Sequence, residues 1–349
     1  MRPNLRAEQE IMKNWKGTKP VVSICCLAYN HEPYIEDALE GFLIQETDFP
    51  FEVLIHDDAS TDRTPDIIRE YEAAYPHIIK PIYQKENQYS KHVKISATYQ
   101  FPRAQGEYIA FCEGDDYWNN NQKLQKQVNY MRAHFDCSIV AHLANLLIAD
   151  TNKIVPYLSS KYMNYVNRRI TIKDILVNLA LFPTASMLFK TELYKRNNTL
   201  FLDICDFDYA YKIILLSEGY GFILPEVMSV YRKGVIGSWT DRANNKQYFK
   251  KHLLESCQIL QKINIYTQYK NDKEIKNEII KRQFNIILLE KDTLAIRREP
   301  YHNLYKKKTI LFKLIWRLSK ASPKLFCSLA DTITKLKQAI YHLFYGYGK

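Results

Sequence analysis

Residues 21–43 read VVSICCLAYNHEPYIEDALEGFL, and their pattern decides the fold class. Residues 21–28 form a short, β-branched apolar run, the signature of a strand buried on both faces in a parallel sheet. The run stops at Tyr29-Asn30-His31. Pro33 suits a first helical turn, and Ile35, Ala38, Leu39, Phe42 and Leu43 fall at i, i+3, i+4, i+7 and i+8, one stripe of a helix packed on a sheet. Outward from there the unit repeats. Residues 51–56 (FEVLIH) are strand-like, residues 57–64 (DDASTDRT) form a polar turn, and Pro65 opens a helix with Ile67, Ile68, Tyr71 and Tyr75 inward. Strand, loop, helix and strand in this order predict a parallel sheet with right-handed crossovers.

A third strand is expected over residues 78–83 and another over residues 108–112 (YIAFC), which lead into the acidic loop Glu113-Gly114-Asp115-Asp116. The following helix should present Leu124, Val128, Met131 and Phe135 on one face. Beyond it, residues 138–148 and 185–189 are candidate strands, 209–217 a helix closed by Gly219, and 222–230 another extended run. Residues 244–298 read as charged helix without a motif.

The whole chain has 349 residues, 46% hydrophobic and 25% charged, with only 10 Gly and 13 Pro, so it is long enough for a substantial core and is not a linker-dominated chain. Seven cysteines, Cys25, Cys26, Cys112, Cys137, Cys205, Cys257 and Cys327, are scattered with no CxxC pair. They read as reduced core residues of a cytoplasmic protein, not as a disulfide framework or zinc site. No secretory signal and no apolar run of roughly 20 residues is visible. Net charge is +11, which favours anionic partners, and much of the excess lies after Lys306.

In an open parallel sheet, ligands bind beyond the carboxyl ends of the strands, where loops and helix N-termini converge. Three polar loops are expected there: Tyr29-Asn30-His31, Asp57-Asp58 and Glu113-Gly114-Asp115-Asp116. None is a glycine-rich phosphate cradle, so a phosphate would need another counter-charge. Clustered carboxylates suit a hard divalent cation, Mn2+ or Mg2+, shared with substrate phosphates. The plainer alternative is that each acidic turn only caps the next helix.

Four segments in order, SICCLAYNHEPYIEDALEGFLIQ, HDDASTDRTPDII, GEYIAFCEGDDYWNNNQKLQKQV and CDFDYAYKIILLSEGYGFILPEVMSVYRKGVIGSW, resemble bacterial glycosyltransferases of family 2 over residues 19–239. The resemblance implies the GT-A fold: a Rossmann-like α/β nucleotide-diphospho-sugar transferase fold with a mostly parallel sheet flanked by helices. It implies that Tyr29, Asn30 and Asp58 lie near the base and ribose of a nucleotide-sugar donor, UDP first among them, with Asp57 beside them and Ala28 in the same binding set. Glu113, Asp115 and Asp116 then fall on the DxD-type site for metal and diphosphate, with Asp115 and Asp116 as the metal ligands because Glu113 replaces the usual first Asp. Asp206 falls where relatives carry the general base that takes the acceptor hydroxyl's proton during an inverting displacement; Asp203 and Asp208 compete for that role, and a helix cap is the alternative for each. Arg232 is placed toward the diphosphate, or paired with a surface acid. Relatives often follow this Tyr-Arg with His, where this chain has Lys233. Gly237-Ser238-Trp239 resembles a segment that closes over the site, although Trp239 also suits a core.

The expected organisation is a polar leader (1–18), a GT-A domain (19–240, divided into a nucleotide and metal half at 19–150 and an acceptor half at 151–240), a helical segment (241–300) and a basic tail (301–349). Within the tail, residues 309–318 (TILFKLIWRL) beside Lys306, Lys307 and Lys308 have the composition of an interfacial helix at an anionic membrane surface, with a docked terminal helix as the alternative. Such a tail would hold the protein on the inner face of the cytoplasmic membrane, near saccharide or lipid-linked saccharide acceptors of cell-surface polymers. Two other readings fare worse. A sugar nucleotidyltransferase needs a glycine-rich first loop, which AYNHEPY is not. A nucleic-acid-binding protein needs a docking element, and acidic strand-end loops repel a polyanion.

Overall fold

A computed structural model describes residues 5–204, 208–235, 237–310, 312–314 and 317. The chain divides into two compact units, Met1–Ser238 and Trp239–Lys349. In the first, the element order is α1 (Glu8–Met12), β1 (Val22–Ala28), α2 (Ile35–Leu43), β2 (Phe51–Asp57), α3 (Thr64–Ala74), β3 (Ile82–Tyr83), β4 (Tyr108–Phe111), β5 (Tyr117–Trp118) and α4 (Lys123–Ala133). There follow β6 (Cys137–Ile148), β7 (Lys153–Pro156), β8 (Arg169–Ile170), α5 (Ile172–Val177), β9 (Leu188–Lys190), α6 (Thr191–Ile204), α7 (Asp208–Ser217) and β10 (Tyr220–Lys233).

Among the described residues these strands make a mixed sheet in the order β3-β2-β1-β4-β9-β6-β10-β5, with β7 beside β6 and β8 beside β10. The first four, β3, β2, β1 and β4, run parallel. β9 then inserts antiparallel between β4 and β6, while β6 and β10 are parallel partners. The expected α/β class is therefore present, and the antiparallel members lie in its second half. The stripe of α2 is buried as its spacing requires: Ile35, Ala38, Leu39, Phe42 and Leu43 all join the core over β1 and β2. Gly41 lets α2 approach β5 closely, since a Cβ there would stand 2.7 Å from the Trp118 carbonyl oxygen.

Three expectations change. The third strand is short, Ile82–Tyr83, and upstream of it only a single bridge joins Val53 to Ile79. Residues 184–186 form a 3-10 turn ahead of β9 instead of extending the strand. Phe135 is 82% exposed, because α4 ends at Ala133 and the chain turns away before Phe135 can continue the buried row of Leu124, Val128 and Met131. Cys25, Cys26, Cys112, Cys137 and Cys257 are free and buried; Cys205 and Cys327 lie outside the described residues.

The second unit is helical: α8 (Trp239–Arg242), α9 (Lys246–Tyr266), α10 (Asp272–Glu290), α11 (Thr293–Ile296) and α12 (Tyr301–Lys306). Asn245 caps α9 by accepting from the backbone of Gln247 and Tyr248. α9 and α10 share buried Phe249, Leu253, Ile286 and Leu289, against which Trp239 packs, and the Trp239 indole donates to His252 Nδ1 at 3.2 Å. Arg282 of α10 is buried between Ser256 and Glu278. Phe312 is buried on Phe284, Leu288 and Ile296, whereas Ile310 and Leu314 are exposed. No helix among the described residues is long and apolar enough to cross a membrane.

Candidate functional site

β1, β2 and β4 end side by side, and their three loops meet. The first two are joined directly. Asn30, in the left-handed region at φ 54°, donates its backbone N–H to Ser60 Oγ at 2.9 Å and accepts from the Thr61 N–H at 2.8 Å. The His31 N–H reaches Thr64 Oγ1, and the Glu32 N–H reaches Asp62. Asn30 is thus a stitch between loops, while the Tyr29 ring beside it is exposed. Ala28 closes β1 by accepting the Asp58 N–H at 2.9 Å.

The adjacent acids of the second loop have different partners. Asp58 is buried and accepts from the backbone N–H groups of Gln88 (2.7 Å) and Tyr89 (2.9 Å), one on each carboxylate oxygen. Asp57 is also buried, but only its Oδ2 is engaged, by the Ser60 N–H at 3.3 Å; its Oδ1 has no partner. Burial raises the Asp57 carboxyl above its ordinary value, and the Ser60 hydrogen bonds offset part of that shift.

In the third loop, the Gly114 N–H donates to the Leu27 carbonyl at 2.8 Å, which draws the loop over the end of β1. A Cβ on Gly114 would lie 2.8 Å from His31 Nδ1 and 2.9 Å from Ile35 Cδ1, so this approach requires glycine. Asp116 is buried, while Glu113 and Asp115 are partly exposed. Burial, then the charge of Asp115, pushes Glu113 up to about 7. Asp116 is raised as well, by burial and then by Asp115 and Glu113. Crowded carboxylates of this kind favour a proton or a cation among them.

Arg232, near the end of β10, is buried against this loop because β5 pairs with β10 at Ser229 and Val230. Its backbone N–H donates to Asp116 Oδ1 at 2.8 Å, and Nη1 donates to the Asp115 carbonyl at 2.8 Å. Nη2 pairs with Asp37 in the first turn of α2. The guanidinium carbon lies 4.6 Å from the Tyr117 ring centre and 5.2 Å from that of Tyr34. Neither Asp37 nor these two tyrosines carries a signal in the sequence.

Asp206 lies outside the described residues. Its competitor Asp208 begins α7 and accepts from the Tyr209 N–H through Oδ1 and from Lys212 Nζ, at 2.9 Å, through Oδ2. Lys212 is fully buried and also donates to the carbonyls of Phe182 and Leu179. Asp203, on α6, is exposed. Gly237 takes φ 79°. His56 and His142 are buried and His31 is half-buried, and desolvation lowers the pKa of all three.

No group of three His, Cys, Asp or Glu side chains among the described residues could alone hold a metal ion. The carboxylates do fit an ion completed by phosphate oxygens and water, the usual surroundings of Mg2+.

Comparison with known proteins agrees with this geometry. A family model described as glycosyl transferase family 2 matches residues 23–195. An uncharacterized Mycobacterium tuberculosis protein is 34% identical over 65% of this chain and 63% of its own length, so the chain spans under two thirds of that relative. WfaP of Escherichia coli, named a UDP-Glc:alpha-D-GlcNAc-diphosphoundecaprenol beta-1,3-glucosyltransferase, is 36% identical over 32% of this chain and 41% of its own. Among solved structures, S. aureus TarS 1-349 superposes with a TM-score of 0.54 at 19% identity, covering 79% of this chain and 76% of that one, and it shares the GT-A fold. The family match runs from β1 into α6 and takes in all three loops at the strand ends, so the strand-end site lies in the glycosyl transferase family 2 region of the chain.

Proposed function

We propose that this chain is a metal-dependent, inverting glycosyltransferase that moves a sugar from a nucleotide-sugar donor to a hydroxyl of a saccharide or lipid-linked saccharide in cell-surface polysaccharide synthesis. The observation that carries the reading is the convergence, around His31, of Asp57 with its unpartnered buried oxygen and the crowded acids of the third loop. In this reading Tyr29, Asn30 and Asp57 line the nucleoside side, with Asp58 fixing the turn behind them. Asp115 and Asp116, with Glu113 alongside, would hold Mn2+ or Mg2+, which would supply positive charge for the leaving diphosphate. Asp206 takes the acceptor's proton. Supporting that assignment, both oxygens of Asp208 are already engaged at the start of α7. The name of WfaP supports UDP and a lipid-diphosphate-linked acceptor as the first pair to test.

The test is nucleotide release from UDP-, dTDP- and GDP-sugars, with a lipid-linked saccharide acceptor, in Mn2+ or EDTA. The expected result is release from one donor that disappears in EDTA and in Asp115→Ala. Failure to bind or release any nucleotide overturns the reading. Exposed Ile310 and Leu314 beside Lys306, Lys307 and Lys313 support contact with the inner face of an anionic membrane. Co-sedimentation with anionic liposomes should be lost on deleting residues after Tyr301, and binding that survives the deletion removes the tail from the proposal.

A further inference from the structure

The acidic loop leaves β4 and returns as β5, and its two aspartates are bracketed by one residue from the far end of the fold. Arg232 donates its backbone N–H to the Asp116 carboxylate at Oδ1 and its Nη1 N–H to the backbone carbonyl of Asp115. Its other terminal nitrogen pairs with Asp37, and Tyr34 and Tyr117 lie near the guanidinium. The residue is 7% exposed. An arginine that binds a diphosphate does so by offering the fork of its guanidinium to two oxygens. Here Nη1 already donates to the Asp115 carbonyl and Nη2 pairs with Asp37, so turning the fork toward a diphosphate would give up both contacts.

We infer that Arg232, held in place by Asp37, is a positioning residue that fixes the loop carrying Asp115 and Asp116, through the Asp115 carbonyl and the Asp116 carboxylate. The inference rests on the proposed nucleotide and metal site for its consequence but not for its geometry. Asp37 sits on the first turn of α2, outside that helix's buried stripe, so Asp37→Asn removes the charge with little change in packing.

The experiment pairs hydrogen exchange of residues 113–117 in the free protein with calorimetry of UDP in Mn2+. It uses the full chain as wild type, Asp37→Asn, Arg232→Gln and the double variant, each first checked for an unchanged melting profile. Asp37→Asn is expected to speed exchange in the loop and to weaken UDP binding in Mn2+ by about tenfold, the order seen when support behind a metal ligand is removed. The double variant is expected to lose no more than the worse single one, because both act through one pair. Wild-type exchange in Asp37→Asn overturns the inference, as does a loss in the double variant equal to the product of the single losses. If the wild type binds no UDP in Mn2+, the choice of UDP fails by itself, and the exchange arm still decides whether the pair holds the loop.

Discussion

After β2 the paired acids separate: Asp58 gives both oxygens to backbone N–H groups of residues 88 and 89, and Asp57 keeps one oxygen buried without a partner. After β4 the acids crowd together, and their repulsion is answered from outside the loop, by Arg232 on β10. Similar strings of letters, DD and EGDD, thus end in different electrostatic states because different backbone donors surround them. The number of acids in a turn says less about binding than how many of their oxygens the fold has already satisfied.

The largest expected effect comes from the loop that is not internally satisfied. Asp115→Ala should lower transfer by about three orders of magnitude with little change in melting temperature, measured as nucleotide release. Next is the close approach that holds that loop: Gly114→Ala drives a Cβ into His31 and Ile35 and should cost about 1–3 kcal/mol in urea unfolding. In the second loop, Asp58→Asn replaces one acceptor with a donor facing a backbone N–H and should destabilise by about 1–3 kcal/mol. Asp57→Asn should instead leave stability unchanged or higher while weakening nucleotide binding. Equal behaviour of the two asparagine variants would erase the contrast between Asp57 and Asp58.

A smaller effect should be visible as a pH slope. Lys123, at the start of α4, is fully buried against the Trp118 ring, and burial pushes its pKa down from 10.5 to about 7. Between those values the unfolded chain binds the extra proton, so this residue makes stability rise with pH from about 7 toward 10.5. Urea midpoints of Lys123→Met measured from pH 7 to 9.5 should lack that part of the slope; an unchanged slope would contradict it. Phe135→Ser should change stability by less than about 0.5 kcal/mol, since the ring is exposed beyond the end of α4.

β1 and β2 were legible because both are buried on both faces and α2 and α3 each carry an unbroken apolar stripe, so local pattern and final burial coincide there. The second half of the sheet depends on distant partners. β9 is only Leu188–Lys190 and is fixed by antiparallel pairing with β4 and β6, which no local period announces. Phe135 fits the helical stripe on paper, yet where α4 ends decides its exposure. In the site, the acids of the three loops stand out as strand-end residues, but the support behind them does not. Asp37 and Arg232 are 195 residues apart, and their pairing follows from the position of β10 beside β5. The choice between Asp57 and Asp58 was equally hidden, because it turns on which carboxylate meets the backbone of residues 88 and 89.

The most direct test of the strand-end site is calorimetric titration of UDP into the wild-type chain, with Mn2+ and then with EDTA, alongside Asp115→Ala and Asp57→Asn. The expected result is binding that requires Mn2+, is lost in Asp115→Ala and is weakened in Asp57→Asn. UDP binding that persists in EDTA and in Asp115→Ala would contradict a nucleotide site built on the loops after β2 and β4.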